Sequence, residues 1–600
     1  MTDTSTSTTP ALWSFTGVEL IPTTDELTLL LDRTTGKRLL VRREVGISLT
    51  YCEAFRTLRG HAEHLVATLP QLGGQVEPVV PVLQQICDAG MFRAANELMA
   101  PLIEETTHDP LPPVHVFIIT CDRPEAVTRL LASMASAASP TLPERYTVID
   151  DSRNPDHAAS NEAAIEAHNA AAPFKVEYFG PQQRQGLIDH LITALPEHEA
   201  SIRFLLDRER WGDQPTYGIA RTLSLLLGIG KRAVVFDDDV LCQAIRCPLP
   251  GGHVQFGSLA GRQTVFYGSA EEMTGKAKTL RDSPVTLMSR QLGLPLAAGL
   301  KSLLHSELPE SALAGANGTF VRSLSNQSRI VQTQCSTWGD PGTGNAHWIV
   351  DLDPDSIDRL LDRPEGIASV LDARSVWLGY NAPTLTKHGV MSQVSGYDAT
   401  QLLPPYLPAF RGEDALFSFM LTAIHPNSLV LNNDWAIPHQ PIDARQRQTL
   451  KDPIPAQGGL GLITRWIGDQ IDVFEKMSPE ARLSRFATSM RSLADHNDDE
   501  LMSFGRIGLA QWHAAQVDAY RRQLLHANKH QSQNWERYLE RGMSEAQTAL
   551  TNEPSLNELI GMPVTDTAHT LNILRGGLRG FADALEAWPA LWQAMKEISD

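Results

Sequence analysis

Short apolar runs that end in polar residues recur through the middle of the chain. They occupy residues 114–119, 146–149 and 233–236, and a further predicted strand over 175–179 ends at Gly180-Pro181. Their length and β-rich composition predict buried strands. Apolar residues at helical spacing follow the first run from Pro124 and precede the last run over residues 217–227, which predicts crossover helices. This alternation favours an α/β fold with a mostly parallel sheet.

The amino-terminal region has its own pattern. Residues 1–17 are predicted to be a flexible tail, and residues 26–31 and 38–41 predict a hairpin followed by helices. A small α+β domain is therefore expected over residues 18–110. The order of hairpin and helices resembles the winged-helix fold of PqqD-like peptide-recognition domains, which implies peptide binding. An accessory domain that only packs on its neighbour is the alternative.

The second half of the chain changes character twice. Between about 250 and 400 Gly and Pro are frequent, and residues 338–345 predict a long exposed loop. Helical patterns then dominate residues 446–600, with a start signal at Ser478. We expect a central α/β domain over residues 113–445 and a helical carboxyl-terminal domain.

Composition narrows the class of protein. The formal charge of −19 disfavours a nucleic-acid partner, because no basic excess neutralises phosphates. No apolar run is long enough for a transmembrane segment, and the Ser/Thr-rich start is not a secretion signal. The six cysteines form no Cys-x-x-Cys pair, which favours a reduced, cytoplasmic setting without structural zinc.

Polar residues at strand ends are the candidate chemistry. Asp237, Asp238 and Asp239 directly follow one apolar run, Asp150 and Asp151 follow another, and residues 120–123 follow the first. The carboxyl ends of parallel strands meet at one edge, where ligands bind. Paired carboxylates suit Mg²⁺ or Mn²⁺, and such an ion usually accompanies a phosphate. A solvated acidic turn is the alternative.

Four segments together resemble the GT-A-fold glycosyltransferases, especially those like family 2. They are Phe117-Ile118-Ile119-Thr120-Cys121-Asp122-Arg123-Pro124, Val148-Ile149-Asp150-Asp151-Ser152, Gly218-Ile219-Ala220-Arg221 and Val234-Val235-Phe236-Asp237-Asp238-Asp239. The resemblance implies a Rossmann-like GT-A domain and a divalent metal on a nucleotide diphosphate. The residues that it assigns to the nucleotide sugar are Thr120, Asp122, Arg123, Asp150, Asp151, Arg221, Asp237 and Asp238. Asp237 and Asp239 are the implied Asp-x-Asp metal ligands.

Two later segments extend the resemblance. The acidic pair in Gly412-Glu413-Asp414-Ala415 resembles the family's motif at the start of a helix, which implies that Asp414 is the general base and that Glu413 shares acceptor binding. Two acids that complement a helix dipole are the alternative. His439 stands where the family often has its last metal ligand, with His425 the weaker candidate; a structural histidine is the alternative.

The leading functional hypothesis is a metal-dependent, inverting transfer of a sugar from a nucleotide-sugar donor, UDP-linked above others. The acceptor would be a protein, a peptide or a glycan. The long stretch between Asp239 and Glu413 would hold an insertion, with residues 314–319 and the loop at Trp338 shaping the acceptor site. The alternatives are a metal-dependent nucleotidyltransferase and a non-catalytic sugar-nucleotide or peptide sensor. The sequence leaves the sugar and the oligomeric state open.

Overall fold

A mixed sheet of twelve strands forms the centre of the computed structural model, which describes residues 10–137, 143–212, 214–258, 261–304, 307–389, 393–409, 412–443, 450, 466, 477–527, 532–552 and 567–599. Strands β6 to β17 form this sheet, and β1 to β5 form two smaller sheets. The strands described are β1 Trp13–Ser14, β2 Val18–Pro22, β3 Leu27–Asp32, β4 Arg38–Arg42, β5 Arg93–Ala94, β6 Val114–Thr120, β7 Arg145–Asp150, β8 Glu177–Phe179, β9 Arg232–Asp237, β10 Ile245–Arg246, β11 Gln255–Phe256, β12 Gln263–Phe266, β13 Ile330–Gly339, β14 Val376–Gly379, β15 Thr384–Thr386, β16 Val394–Asp398 and β17 Leu429–His439.

The α-helices lie between and after these strands. They are Arg43–Leu49, Leu58–Thr68, Val79–Asp88, Ala95–Met99, Pro124–Ser136, Pro155–Ala171, Pro181–Ala194, Glu199–Leu206, Tyr217–Leu227, Ala270–Lys276, Pro284–Ser289, Leu296–Leu303, Gly318–Arg322, Pro354–Leu361, Ile367–Ala373, Glu413–Ile424, Pro479–Ala494, Asp498–Ala527, Gln533–Thr551 and Thr567–Ser599. The predicted helices that begin at Pro124 and Pro479 and span 217–227 are confirmed.

The central sheet is parallel in one half and mixed in the other. Its order is β11-β15-β17-β13-β16-β9-β6-β7-β8, with β10, β12 and β14 attached beside this path. Strands β9, β6, β7 and β8 pair in parallel, whereas β16 is antiparallel to both β9 and β13. The prediction of a mostly parallel sheet is therefore wrong beyond β9.

Both faces of the parallel half are covered, which explains its continuous apolar runs. In β9, Ala233 and Val235 face one core, together with helix Tyr217–Leu227. Val234 and Phe236 face the other core, against helix Pro124–Ser136. Side chains alternate between the faces of a strand, so a strand buried on both sides is apolar throughout.

The stretch that was expected to loosen contains the longest buried strand pairing. Residues 330–339 form β13, buried along its whole length, and Trp338 is only 5% exposed. The predicted exposed loop over 338–345 is thus wrong at its start and is confined to the residues after Gly339. Polar side chains in β13 interrupt the apolar pattern that predicts a buried strand. In the structure they are hydrogen-bonded: Thr333, for example, donates to the carbonyl oxygen of Met288 at 2.7 Å. Such residues are buried because they are hydrogen-bonded.

The amino-terminal domain begins earlier than predicted. Strand β1 pairs with β5, so Trp13 and Ser14 belong to the fold, and the expected tail over 1–17 is too long; residues 1–9 lie outside the described part. Strands β2, β3 and β4 form an antiparallel sheet, which confirms the predicted hairpin. Residues 314–319 pack here: the Gly318 amide donates to the Glu53 carbonyl at 2.8 Å. They line no part of the cavity at the carboxyl edge of β6 and β9, contrary to the expectation that they shape an acceptor site.

The carboxyl-terminal helices belong to two cores of the central region. Helices Pro479–Ala494 and Thr567–Ser599 join the core that contains Tyr217–Leu227, and Trp588 donates to the Leu403 carbonyl at 2.5 Å. Helices Asp498–Ala527 and Gln533–Thr551 pack on the region around β14. The predicted helical character of 446–600 is confirmed for its described residues. None of the described helices is long and apolar enough to cross a membrane. The six cysteines are free thiols.

Candidate functional site

A cavity of about 1070 Å³ opens at the carboxyl edge of β6 and β9. The sheet order turns at this point, because β7 and β9 flank β6 on opposite sides. Ligands of open α/β sheets bind at such a switch point. The residues predicted for the site that line this central cavity are Thr120, Asp122, Arg123, Asp151, Arg221, Asp237, Asp238, Asp239, Glu413, Asp414 and His439. Asp150 does not line it.

Asp239 and His439 face each other across the cavity floor. Asp239 Oδ2 lies 3.3 Å from His439 Nε2, and the Gln440 amide donates to the Asp239 carbonyl at 2.9 Å. His439 Nδ1 lies 2.6 Å from the Asp340 carbonyl oxygen. A carbonyl oxygen only accepts, so Nδ1 carries a proton, and a ring that is neutral would then have its Nε2 lone pair on the side of Asp239. A metal-binding histidine is typically held in this way.

A second layer fixes the backbone around His439. Arg374 donates to both carboxylate oxygens of Asp340, at 2.5 and 2.8 Å, and to the Thr343 carbonyl at 2.9 Å. The Asp340 amide donates to the His439 carbonyl at 3.0 Å. Gly339 permits this approach: its φ is +116°, and a Cβ there would lie 2.4 Å from the His439 oxygen. Only glycine fits that position.

Asp238 is held inside the protein by two partners. Thr120 Oγ1 donates to its Oδ2 at 2.7 Å, and Arg123 Nη1 lies 3.2 Å from its Oδ1. Arg123 also reaches to 3.7 Å from Asp239. Burial raises the pKa of Asp238 to about 6, against the opposing effect of Arg123 and Thr120. Thr120 and Arg123 thus orient the acidic triplet.

Arg221 links Asp237 to Asp414. Its Nη2 lies 2.8 Å from Asp237 Oδ1, and its Nε lies 3.4 Å from Asp414 Oδ1. The pKa of Asp237 is raised to about 7. Desolvation is the largest cause of this rise, Arg221 opposes it, and the charges of Asp239 and Asp414 add to it. The two carboxylates raise the pKa of the buried Arg221 well above its ordinary value, against its desolvation. The guanidinium is therefore permanently charged between two acids.

The three predicted metal ligands do not form one cluster. Asp237 is turned toward Arg221, whereas Asp239 and His439 make a pair. Within the described ranges, no group of three or more His, Cys, Asp or Glu side chains is arranged to hold an ion. A divalent ion between Asp239 and His439 would complete its shell with water or ligand oxygens, as Mg²⁺ commonly does. The donor types of this pair fit Mn²⁺ or Mg²⁺.

Glu413 and Asp414 open the helix Glu413–Ile424. Glu413 is buried and accepts from the Gly412 amide at 3.1 Å, so its carboxylate serves the start of the helix. Asp414 keeps about a third of its side chain exposed to the cavity. The alternative in which an acid only complements the helix dipole therefore describes Glu413 better than Asp414. Asp414 also pairs with Arg221.

The two acids after β7 have different environments. Asp150 is 1% exposed and accepts from the Ser152 amide at 2.8 Å, Asn161 at 2.9 Å and Tyr178 at 3.0 Å. It fixes the end of β7 and does not line the cavity, so its role at the nucleotide stays a prediction without a contact to carry it. Asp151 faces the cavity, because successive side chains leave a strand in opposite directions.

Three residues that sequence reasoning missed surround Asp151. Arg184 forms a short ion pair with it, Thr216 donates at 2.6 Å, and Arg208 Nε lies 3.9 Å away. Burial raises the pKa of Asp151, and Arg184 opposes the shift most. Arg184 lies in the first turns of the helix Pro181–Ala194, which follows β8 directly. A basic residue at that position was the feature of the sequence that could have indicated a partner for Asp151.

Asp122 stabilises the loop that connects β6 to its helix. Its φ of +58° is rare for a residue other than glycine. Its Oδ1 accepts from the amides of Arg153 and Asn154 at 3.0 and 2.9 Å, and its own amide donates to Ser152 at 2.8 Å. Asp122 thereby joins the loops after β6 and β7. Backbone strain of this kind gathers at functional sites.

The cavity as a whole attracts cations. Among the residues that the structure describes, ten carboxylate side chains and four arginines line it. The acid excess is concentrated where Asp237, Asp238, Asp239 and Asp414 meet. A polyanionic ligand alone would be repelled there, so a ligand with phosphates requires a positive partner ion. The arrangement can therefore hold a cation, an anion that binds this cation, and a carboxylate base beside them.

Comparisons with known proteins do not assign the chain to a group. No family model, no curated protein and no solved structure matches it.

Proposed function

We propose that the protein is a metal-dependent glycosyltransferase with a GT-A domain over residues 113–445 and a UDP-linked sugar as donor. A single observation carries the proposal. The Asp239–His439 pair and Asp414 open into one cavity at a switch point of the sheet, and each is anchored by its own partners. A cation site beside a carboxylate base is the requirement for displacement of a nucleoside diphosphate.

The loops after β6 and β7 would bind the nucleotide. Arg123 and Arg153 supply positive charge on this side, and Asp151 supplies hydrogen-bond acceptors for a base or ribose. Asp239 and His439, with Asp237 beside them, are the residues that would hold Mn²⁺ or Mg²⁺. The ion would neutralise the charge that develops on the departing diphosphate.

Asp414 would act as the general base. The acceptor hydroxyl attacks the anomeric carbon and gives its proton to an Asp414 oxygen, while the bond from that carbon to the diphosphate oxygen breaks. Attack from the face opposite the leaving group inverts the configuration. Arg221, with its Nε 3.4 Å from Asp414 Oδ1, would hold the direction of this carboxylate.

The first test is donor binding and hydrolysis. We expect UDP to raise the melting temperature of the full chain only when Mn²⁺ is present, and a panel of UDP-sugars to include one that is hydrolysed slowly. Asp239→Asn should abolish the metal-dependent shift and Asp414→Asn should spare it. Asp282→Asn, on an exposed ion pair, is the matched control. Metal-dependent binding without hydrolysis of any UDP- or GDP-sugar would indicate a sensor instead.

A further inference from the structure

The central cavity extends beyond the nucleotide loops to a second end. At this end it is lined by Arg262, Trp348, Asp351, Leu352 and Leu378. Leu378 lies in β14, which pairs with β13 on the same edge as β16, because β17 occupies the other edge. The volume of about 1070 Å³ lies at the upper limit of the roughly 300–1,000 Å³ of small-ligand sites. The cavity is therefore large for a single small ligand.

Trp348 provides an apolar platform in this second end. Its ring is half-buried and stacks on Phe266, with ring centroids 5.9 Å apart and planes at 29°. Leu352 and Leu378 are buried beside the cavity. A ring supported on one face by another ring keeps its orientation, so it can receive a flat apolar surface without ordering first.

The charges at this end balance each other. Asp351 is exposed, yet nearby protein desolvates its carboxyl enough to raise the pKa, while Arg262 and Arg522 lower it. Arg262 and Asp351 supply one donor group and one acceptor group. This contrasts with the acid excess around Asp239. A neutral ligand with hydroxyl groups can use both charges, whereas an acidic or a basic side chain is attracted by one of them and repelled by the other.

The carboxyl-terminal helices hold this wall in place. His347 Nδ1 lies 2.8 Å from the Tyr520 hydroxyl and 3.1 Å from the Tyr538 hydroxyl. Gln523 donates to the carbonyls of Val350 and Leu352 at 3.0 and 2.9 Å. Two helices outside the central sheet thus fix both sides of Trp348 and Asp351. Such support is what a preorganised binding site needs.

We propose that the second end of the cavity is the acceptor subsite and that it binds a neutral sugar ring of a glycan. This proposal rests on the proposed function and names its acceptor class. The apolar face of the ring lies on Trp348, its hydroxyl groups donate to Asp351, and Arg262 donates to its oxygens. The carboxyl-terminal helices are thereby part of the acceptor site.

The test compares a glycan array with a peptide array, both probed with the labelled full chain in UDP and Mn²⁺. We expect binding to neutral glycans, reduced by roughly tenfold or more in Trp348→Ala and Asp351→Asn. Asp355→Asn, an exposed neighbour outside the cavity, should bind as the wild type does. Because Asp351 is exposed, its variant keeps the test valid even if Trp348→Ala unfolds.

The outcomes separate this proposal from the proposed function. If the wild type binds no glycan, or binds peptides in a manner that depends on Asp351, the sugar subsite is overturned. The metal-dependent UDP shift of both variants should equal that of the wild type. Glycan binding that persists in a chain without any response to UDP and Mn²⁺ would leave the subsite standing and remove the donor site.

Discussion

Removal of the Arg221 charge tests how much this residue contributes to the free energy of unfolding. Arg221→Met keeps a side chain of similar length but leaves Asp237 and Asp414 without the cation that separates them. In the structure the guanidinium is 2.8 Å from one carboxylate and 3.4 Å from the other, and its side chain is 7% exposed. Loss of one partner of such a buried pair costs about 3–5 kcal/mol, because an uncompensated charge stays buried.

The loss should depend on pH in a defined direction. Without Arg221, which lowers the pKa of Asp237, that pKa lies still further above its value in the unfolded chain. Folding is then penalised most above this raised pKa, and the penalty shrinks as a proton binds on acidification. We therefore expect a larger loss of unfolding free energy for Arg221→Met at pH 8 than at pH 5.5.

This loss of unfolding free energy is measured by urea unfolding, with tryptophan fluorescence as the probe of the transition that includes the central core. Arg290→Met removes an exposed pair with Asp282 and should change stability by only about 0–1 kcal/mol. The double change Arg221→Met with Asp237→Asn should regain part of the loss at pH 8. Equal destabilisation at both pH values, or a loss as small as that of the control, would refute the electrostatic argument.

Three further changes test other parts of the account. Asp414→Asn should leave UDP and Mn²⁺ affinity within about twofold while turnover falls by roughly 10²–10⁴; unchanged UDP release from the donor would reassign the base. Arg374→Met should free Asp340 and weaken Mn²⁺ binding at His439 by about 10–100-fold in titration calorimetry, and equal affinity would show that this support is dispensable. Burial lowers the pKa of His388 to about 4, so the folded state stays neutral where the unfolded state binds a proton. Stability should thus fall as the pH drops from about 6.5 to 4, with about 2 kcal/mol lost at pH 5; His388→Gln should remove that part of the acid sensitivity in urea unfolding, and an unchanged pH dependence would contradict it.

The sequence was most informative where both faces of a strand are apolar. The run before Asp237 predicted β9, and the adjoining acids were placed correctly at the cavity because a strand end at the switch point leaves few positions for them. Neighbouring residues were harder to separate. Asp150 and Asp151 look alike in the sequence, yet one fixes the strand end and the other faces the cavity, and only the exact register decides between them.

The second half of the sheet was not predictable from apolar periodicity. Strand β13 carries Thr333, Gln334 and Ser336 inside the protein, and hydrogen bonds to distant segments make their burial possible. Trp348 was missed for a related reason, since its wall is assembled by contacts with helices nearly two hundred residues later. No local pattern records such long-range support.

Binding of Mn²⁺ in the presence of UDP is the decisive measurement for a metal site at Asp239 and His439. Electron paramagnetic resonance of the full chain with UDP should show one bound Mn²⁺ per chain, with binding lost in Asp239→Asn and kept in Asp282→Asn. Bound Mn²⁺ that is indifferent to Asp239, or no Mn²⁺ bound with UDP at all, would contradict the account.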